Sequence, residues 1–144
     1  MLLYAARRDH VLRRIRPALD AGTWVVSDRF ADSTTAYQGY GRGLRLGDLA
    51  ALHRIALRDF APDLTIILDL PVKDGLARAG RRSIIADRFE QLDHEFHRRL
   101  RDGFLAIAKA EPGRCVVVDA TTDVATVQAA VLAAVAERLG VRFG

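Results

Sequence analysis

Two short apolar runs set the class of fold open to this chain. Leu64-Thr65-Ile66-Ile67-Leu68-Asp69-Leu70 and Cys115-Val116-Val117-Val118-Asp119 are near-continuous hydrophobic segments of strand length. Such runs belong in sheets that are covered on both faces. Thr23-Trp24-Val25-Val26-Ser27 reads as a third buried strand. Stretches of helical spacing separate the three, so the expected architecture is a parallel α/β sheet with helices on both faces. Ligands of such sheets sit at the carboxyl ends of the strands. Here those ends are Asp28-Arg29, Asp69 and Asp119-Ala120-Thr121.

The helices are read from their apolar stripes. Val11, Leu12, Ile15 and Leu19 mark the first, which Ala21-Gly22 ends. A polar, glycine-rich stretch runs from Asp28 to Gly47. Leu46, Leu49, His53, Leu57 and Phe60 define a second helix, broken by Pro62-Asp63. A short helix is expected from Pro71 to Ala79, followed by the basic loop Gly80-Arg81-Arg82-Ser83. Phe89, Leu92, Phe96, Leu100, Phe104 and Ile107 mark a long amphipathic helix, Glu111-Pro112-Gly113 a turn, and Val124, Val127, Val131 and Val135 a closing helix. No repeat or linker interrupts the 144 residues, so one domain is expected.

Composition narrows the function classes. The chain is 50% hydrophobic and 28% charged, which excludes disorder as its main state. No apolar run approaches the ~18 residues of a membrane span, and the first eight residues carry their charge after the apolar ones, the reverse of a signal peptide. Cys115 is the sole cysteine, so no disulfide forms within the chain, which fits a cytoplasmic location. Net charge is +4, and only Lys73 and Lys109 among the basic residues are not arginine. Arginine forks suit phosphates and carboxylates, which leaves nucleic acid, anionic metabolites and plain solubility open at this point. Arg98, Arg99 and Arg101 lack the interleaved aromatics of a nucleic-acid surface, so no nucleic-acid partner is expected. His94 and His97 read as a solvated helix face rather than a metal site, His53 as a packed histidine and Cys115 as core.

The sharpest local signal is Val25-Val26-Ser27-Asp28-Arg29-Phe30. An acid and an arginine directly after a buried strand either meet a ligand or pair with each other as a salt bridge. Behind them come Asp32-Ser33-Thr34-Thr35-Ala36-Tyr37-Gln38-Gly39 and the series Tyr40-Gly41-Arg42-Gly43. An arginine for a phosphate, a ring to pack and an amide for base edges suit a nucleotide.

These residues resemble a known family. Leu2-Leu3-Tyr4-Ala5-Ala6-Arg7 with Asp9-His10-Val11, then Arg16-Pro17-Ala18-Leu19, resembles the segment before the Asp-Arg motif of bacterial thymidylate kinases, and Gly22 to Phe30 with Ser33-Thr34-Thr35-Ala36-Tyr37-Gln38-Gly39 is similar to that family's acceptor-binding motif. Pro62-Asp63-Leu64-Thr65, Leu68-Asp69-Leu70, Asp87-Arg88-Phe89-Glu90 and Asp119-Ala120-Thr121 follow in the family's order. The resemblance covers the whole chain. It implies a P-loop-kinase-like sheet and transfer of the ATP γ-phosphate to dTMP, with Mg²⁺.

The resemblance also implies roles. Arg29 holds the dTMP phosphate, with Asp28 beside it near the reacting oxygens or the Mg²⁺. Arg7 reaches a base carbonyl, Ser33, Thr34 and Gln38 lie at the acceptor, and Tyr37 packs on the deoxyribose. The position of the family's stacking phenylalanine falls on Leu3, beside Tyr4. Arg78, Arg81, Arg82 and Arg88 belong to a lid over roughly residues 78–88, with Arg81 and Arg82 stabilising the transferring phosphoryl group, although Ser83-Ile84-Ile85-Ala86 is more apolar than such a lid. Asp119, Ala120 and Thr121 begin the loop bordering adenine. The family's Gly-x-x-x-x-Gly-Lys-Ser/Thr loop occurs nowhere in the chain. The expectation is therefore the C-terminal two-thirds of one nucleoside monophosphate kinase domain, retaining three strands and lacking the first two. Such a fragment is expected to be inactive by itself, and the complete protein to be a homodimer. The alternatives are a catalytically dead nucleotide-binding remnant and a basic interaction domain without a nucleotide site.

Overall fold

The computed structural model describes residues 2–80 and 90–143. Arg81, Arg82 and Arg88, expected in the lid, lie outside the described residues. Helix α1 (Leu2–His10) continues through a π-helical turn (Val11–Ile15) into α2 (Arg16–Asp20). Helix α3 (Ala31–Thr34) likewise continues into a π-helical segment (Thr35–Gly41), and α4 spans Leu46–Leu57. Strand β1 (Thr65–Asp69), α5 (Val72–Gly80), α6 (Glu90–Ala110), β2 (Cys115–Asp119) and α7 (Val124–Leu139) complete the order.

The two apolar runs are strands, as expected, and they pair with each other. β1 and β2 are parallel, with Thr65 opposite Cys115 and Asp69 opposite Asp119. Ile67 and Cys115 face one side of this sheet and bury themselves against Leu100, Ile107 and Ala108 of α6. By the alternation of a strand, Val118 points to the other side, where it too is buried; α7 is the other long helix against β2. The ends of α7 are dictated locally. Asp123 caps it by accepting from the Thr126 amide at 3.0 Å, and Gly140 leaves it in the left-handed conformation.

One expectation needs correction. Thr23–Ser27 forms no strand: the described residues form a two-stranded sheet rather than three strands. Val26 is 93% exposed and Trp24 59%. A β-branched composition favours a strand only where a neighbour supplies the ladder, and no described strand lies beside this segment. The polar, glycine-rich stretch from Asp28 to Gly47, to which the sequence assigned no element, is helical over Ala31–Gly41. Packing overrides its glycines. An added Cβ on Gly41 would lie 2.6 Å from the Phe96 ring of α6, and one on Gly103 of α6 would lie 2.6 Å from Tyr40. The missing side chains let the two helical segments approach closely.

Candidate functional site

Three elements build the site: α1, the turn after the unpaired segment, and the helix Ala31–Gly41. Arg7 projects from α1. Its guanidinium carbon lies 5.4 Å from the Tyr4 ring centre and 5.5 Å from that of Phe30, a double cation–π contact. Its Nη2 donates to Thr34 Oγ1 at 2.7 Å. Its Nη1 is buried and has no acceptor among the described residues. Burial pulls the Arg7 guanidinium below its ordinary value and pushes the buried Tyr4 hydroxyl up.

Arg29, the residue before Phe30, sits on an exposed corner. Its backbone is left-handed, φ +70°, a conformation that L side chains rarely adopt. Ser27 Oγ donates to its carbonyl at 2.9 Å. The guanidinium carbon lies 5.0 Å from the Tyr37 ring centre. Tyr37 in turn meets Phe96 and Phe104 of α6 edge to face, with ring centres 6.1 and 6.4 Å apart. The ring that supports Arg29 is thus itself fixed by two aromatic contacts.

The structure brings Arg7 to Thr34 and Arg29 to Tyr37, while Tyr37 stands three residues beyond Thr34 on the same helical stretch. Ser33 and Gln38 flank them, half-buried, and their side chains make no hydrogen bond among the described residues. Asp28 is exposed and forms no ion pair with Arg29, so the simple salt-bridge reading of that dipeptide does not hold. Leu3 lies in α1, with only its backbone described.

A second group lies at the ends of β1 and β2. Arg78 of α5 donates to the carbonyls of Ala120 and Thr121 at 3.0 and 3.3 Å, tying α5 to the loop after β2. Asp119 turns that loop by accepting from the Thr121 amide at 2.8 Å; the Thr121 side chain first, and its amide second, hold the Asp119 carboxyl below the ordinary value. Beside it, Asp69 is gripped by Arg101 of α6 through two bonds of 2.6 and 2.8 Å. Among the described residues, no hydrogen bond joins this group to the Arg7–Arg29 cluster.

Sequence reasoning missed one node. Asp32, two residues before Thr34, is held by both terminal nitrogens of Arg114, from the turn preceding β2. The partners stand 82 positions apart, so no local pattern could have coupled them. Among the described residues, no group of three or more His, Cys, Asp or Glu side chains gathers as a metal cage, and no helix is long and apolar enough to cross a membrane.

Comparison with known proteins gives a consistent picture. Residues 1–131 match the family model described as thymidylate kinase. The chain is 52% identical over 141 residues to the thymidylate kinase of Nitrobacter hamburgensis, covering 96% of this chain and 61% of that protein. It is 51% identical over 140 residues to that of Caulobacter vibrioides, covering 97% and 67%. A crystal structure of thymidylate kinase from Ehrlichia chaffeensis superposes with a TM-score of 0.71 at 35% identity, over 92% of this chain and 60% of that one. The chain thus spans about three-fifths of the length of the first of these relatives.

Proposed function

Because this chain belongs to the thymidylate kinase family, we propose that it carries the acceptor half of a dTMP kinase: it recognises dTMP and presents its phosphate to accept the γ-phosphoryl group of ATP. One observation carries this reading. Arg7 lies against two rings, has one nitrogen bonded to Thr34, and keeps another buried nitrogen without an acceptor among the described residues. An unsatisfied buried donor costs about 1–3 kcal/mol, and a carbonyl oxygen at a pyrimidine edge would satisfy it. Thymine presents such an acceptor, O4, where cytosine presents an amino donor.

Arg29 supplies the phosphate end. Its guanidinium is exposed above Tyr37 and engages no carboxylate among the described residues, so its fork is available to a dianion. Tyr37, between Arg29 and the α6 aromatics, is the surface for the deoxyribose. In phosphoryl transfer an oxygen of the dTMP phosphate attacks the γ-phosphorus of ATP and ADP leaves. This chain's part is to hold that oxygen in place and offset the charge around it. Asp28 offers one carboxylate without a protein partner among the described residues. That suits Mg²⁺, which takes one or two carboxylates and completes its shell with phosphates and water. When bound, the ion neutralises phosphate charge. Arg78, and Arg81, Arg82 and Arg88 beyond the described residues, belong to the ATP side of the same proposal, as do Asp119, Ala120 and Thr121 at the adenine, a dimeric whole protein and a cytoplasmic setting.

The test is calorimetric titration of the chain with dTMP and with dCMP. Binding of dTMP with strong discrimination against dCMP is expected. Equal affinity for the two, or no binding of either, would overturn the reading.

A further inference from the structure

The helical stretch that carries Thr34 and Tyr37 cannot hold its own position. The stretch is short, Ala31–Thr34 running on into Thr35–Gly41, and has no side-chain cap on its first turn, so it falls below the length at which a helix is stable in isolation. Its C-terminal end is held by close packing on α6, at Gly41 against Phe96 and Tyr40 against Gly103. Its N-terminal end is held at Asp32. Arg114 Nη1 donates to Asp32 Oδ2 at 2.7 Å and Nη2 to Oδ1 at 2.8 Å. The two side chains are only 17% and 14% exposed.

The remaining bonds of Arg114 lead into the sheet. Nη1 also donates to Thr65 Oγ1 at 3.0 Å, and Nε to Glu111 Oε2 at 2.6 Å. The Arg114 carbonyl accepts from the Thr65 amide at 2.7 Å, and its own amide donates to the Glu111 carbonyl at 3.2 Å. Thr65 opens β1, and Cys115, the next residue, opens β2. Arg114 is therefore fixed to both strands through its backbone and to the helix through a planar fork. A bidentate fork sets angle as well as distance.

We propose that Arg114, through Asp32, is a positioning residue for the acceptor site: it fixes the helix so that Thr34 meets Arg7 and Tyr37 meets Arg29. This rests on the dTMP reading given above. Neither Arg114 nor Asp32 need touch the nucleotide. The pair acts along the helix, Thr34 and Tyr37 lying two and five positions beyond Asp32. Removing Arg114 leaves a shielded carboxylate with no opposing charge and only the Thr65 hydroxyl, 3.3 Å from Oδ2, as a donor, which drives Asp32 toward water and the helix with it.

The experiment compares the 144-residue chain with Arg114→Met, Arg114→Lys and Arg138→Met. Arg138 donates to the carbonyls of Pro112 and Gly113, so its loss disturbs the same turn without touching Asp32. In Arg114→Met the dissociation constant for dTMP is expected to rise about tenfold, as for contacts coupled through a shared element. Amide exchange should quicken over residues 34–41 and stay unchanged over 65–69 and 115–119. Arg114→Lys should recover part of the affinity and Arg138→Met should match wild type. Equal weakening in Arg138→Met, exchange that quickens uniformly across the sheet, or unchanged exchange over 34–41 would overturn the proposal. If Arg114→Met fails to fold, Arg114→Lys decides by the same two readouts. If the wild-type chain binds no dTMP, the acceptor reading fails by itself, and the exchange comparison still decides whether Arg114 positions the helix.

Discussion

Arg29 stands with a left-handed backbone and its guanidinium 5.0 Å from the centre of the Tyr37 ring. A non-glycine residue in that conformation costs on the order of 1–2 kcal/mol. Strain of this kind persists where surrounding structure over-determines it, and it concentrates at ligand sites. Here it turns the chain sharply between the unpaired apolar segment and α3, and it aims the arginine over the ring.

Arg29→Gly separates that strain from the side chain's function. The variant should gain about 1 kcal/mol of stability, because glycine accepts φ +70° freely, and should lose dTMP affinity. Arg29→Ala should lose the same affinity without the gain. Thermal melts and dTMP titrations of the two variants check this; a Gly variant less stable than the Ala variant would count against the strain.

Arg7→Met keeps the stem between Tyr4 and Phe30 but removes both donors. Affinity for dTMP should fall at least tenfold, since a charge-assisted bond is worth about 1.5–3 kcal/mol. The discrimination against dCMP should narrow at the same time. Retained discrimination in the titrations would assign base recognition elsewhere.

Arg58 closes α4 with φ +57° and ψ −125°, a region that suits glycine. Its side chain is exposed, and the backbone bond from its amide to the Arg54 carbonyl needs no side chain. Arg58→Gly should therefore raise stability by about 1 kcal/mol and the melting temperature by a few degrees, with dTMP binding untouched.

Arg101 holds the Asp69 carboxyl below its ordinary value of 3.8, chiefly through their side-chain hydrogen bonds. A carboxylate with a depressed native pKa contributes stability above its unfolded pKa and loses that contribution as pH falls through the native one. Asp69→Asn should thus cost about 1 kcal/mol at neutral pH, a modest value because Arg101 is partly solvated. The difference from wild type should hold down to about pH 4 and shrink only below it. Melts from pH 7 to pH 2.5 on both proteins measure this; a gap that closes already at pH 6 would contradict it.

Phosphoryl transfer by these residues alone should be undetectable. The chain contains no Gly-x-x-x-x-Gly-Lys loop to cradle the ATP phosphates, and its two lysines follow Val72 and Ala108. Incubation with ATP, Mg²⁺ and dTMP should yield no dTDP. Turnover dependent on dTMP would show that another cradle exists.

What the sequence determined by itself was whatever depends on a residue's near neighbours. The runs Thr65–Asp69 and Cys115–Asp119 declare strands because every position is apolar or β-branched up to the closing aspartate. The stripes of α4, α6 and α7 declare helices by their spacing, and Asp123 and Gly140 mark the ends of α7. The string from Thr23 to Gly39 carried the family resemblance. Tertiary structure decided what needs a distant partner. Thr23–Ser27 has the composition of a strand and is not one, because a strand exists only as half of a ladder. Ala31–Gly41 has the glycines of a loop and is helical, because α6 receives it at Gly41 and Gly103. Asp32 reads as an unremarked acid until the fold carries Arg114 across 82 positions to meet it. Periodicity reports burial along one element, whereas ion pairs, strand partners and close helix contacts depend on geometry that arises only once the elements pack.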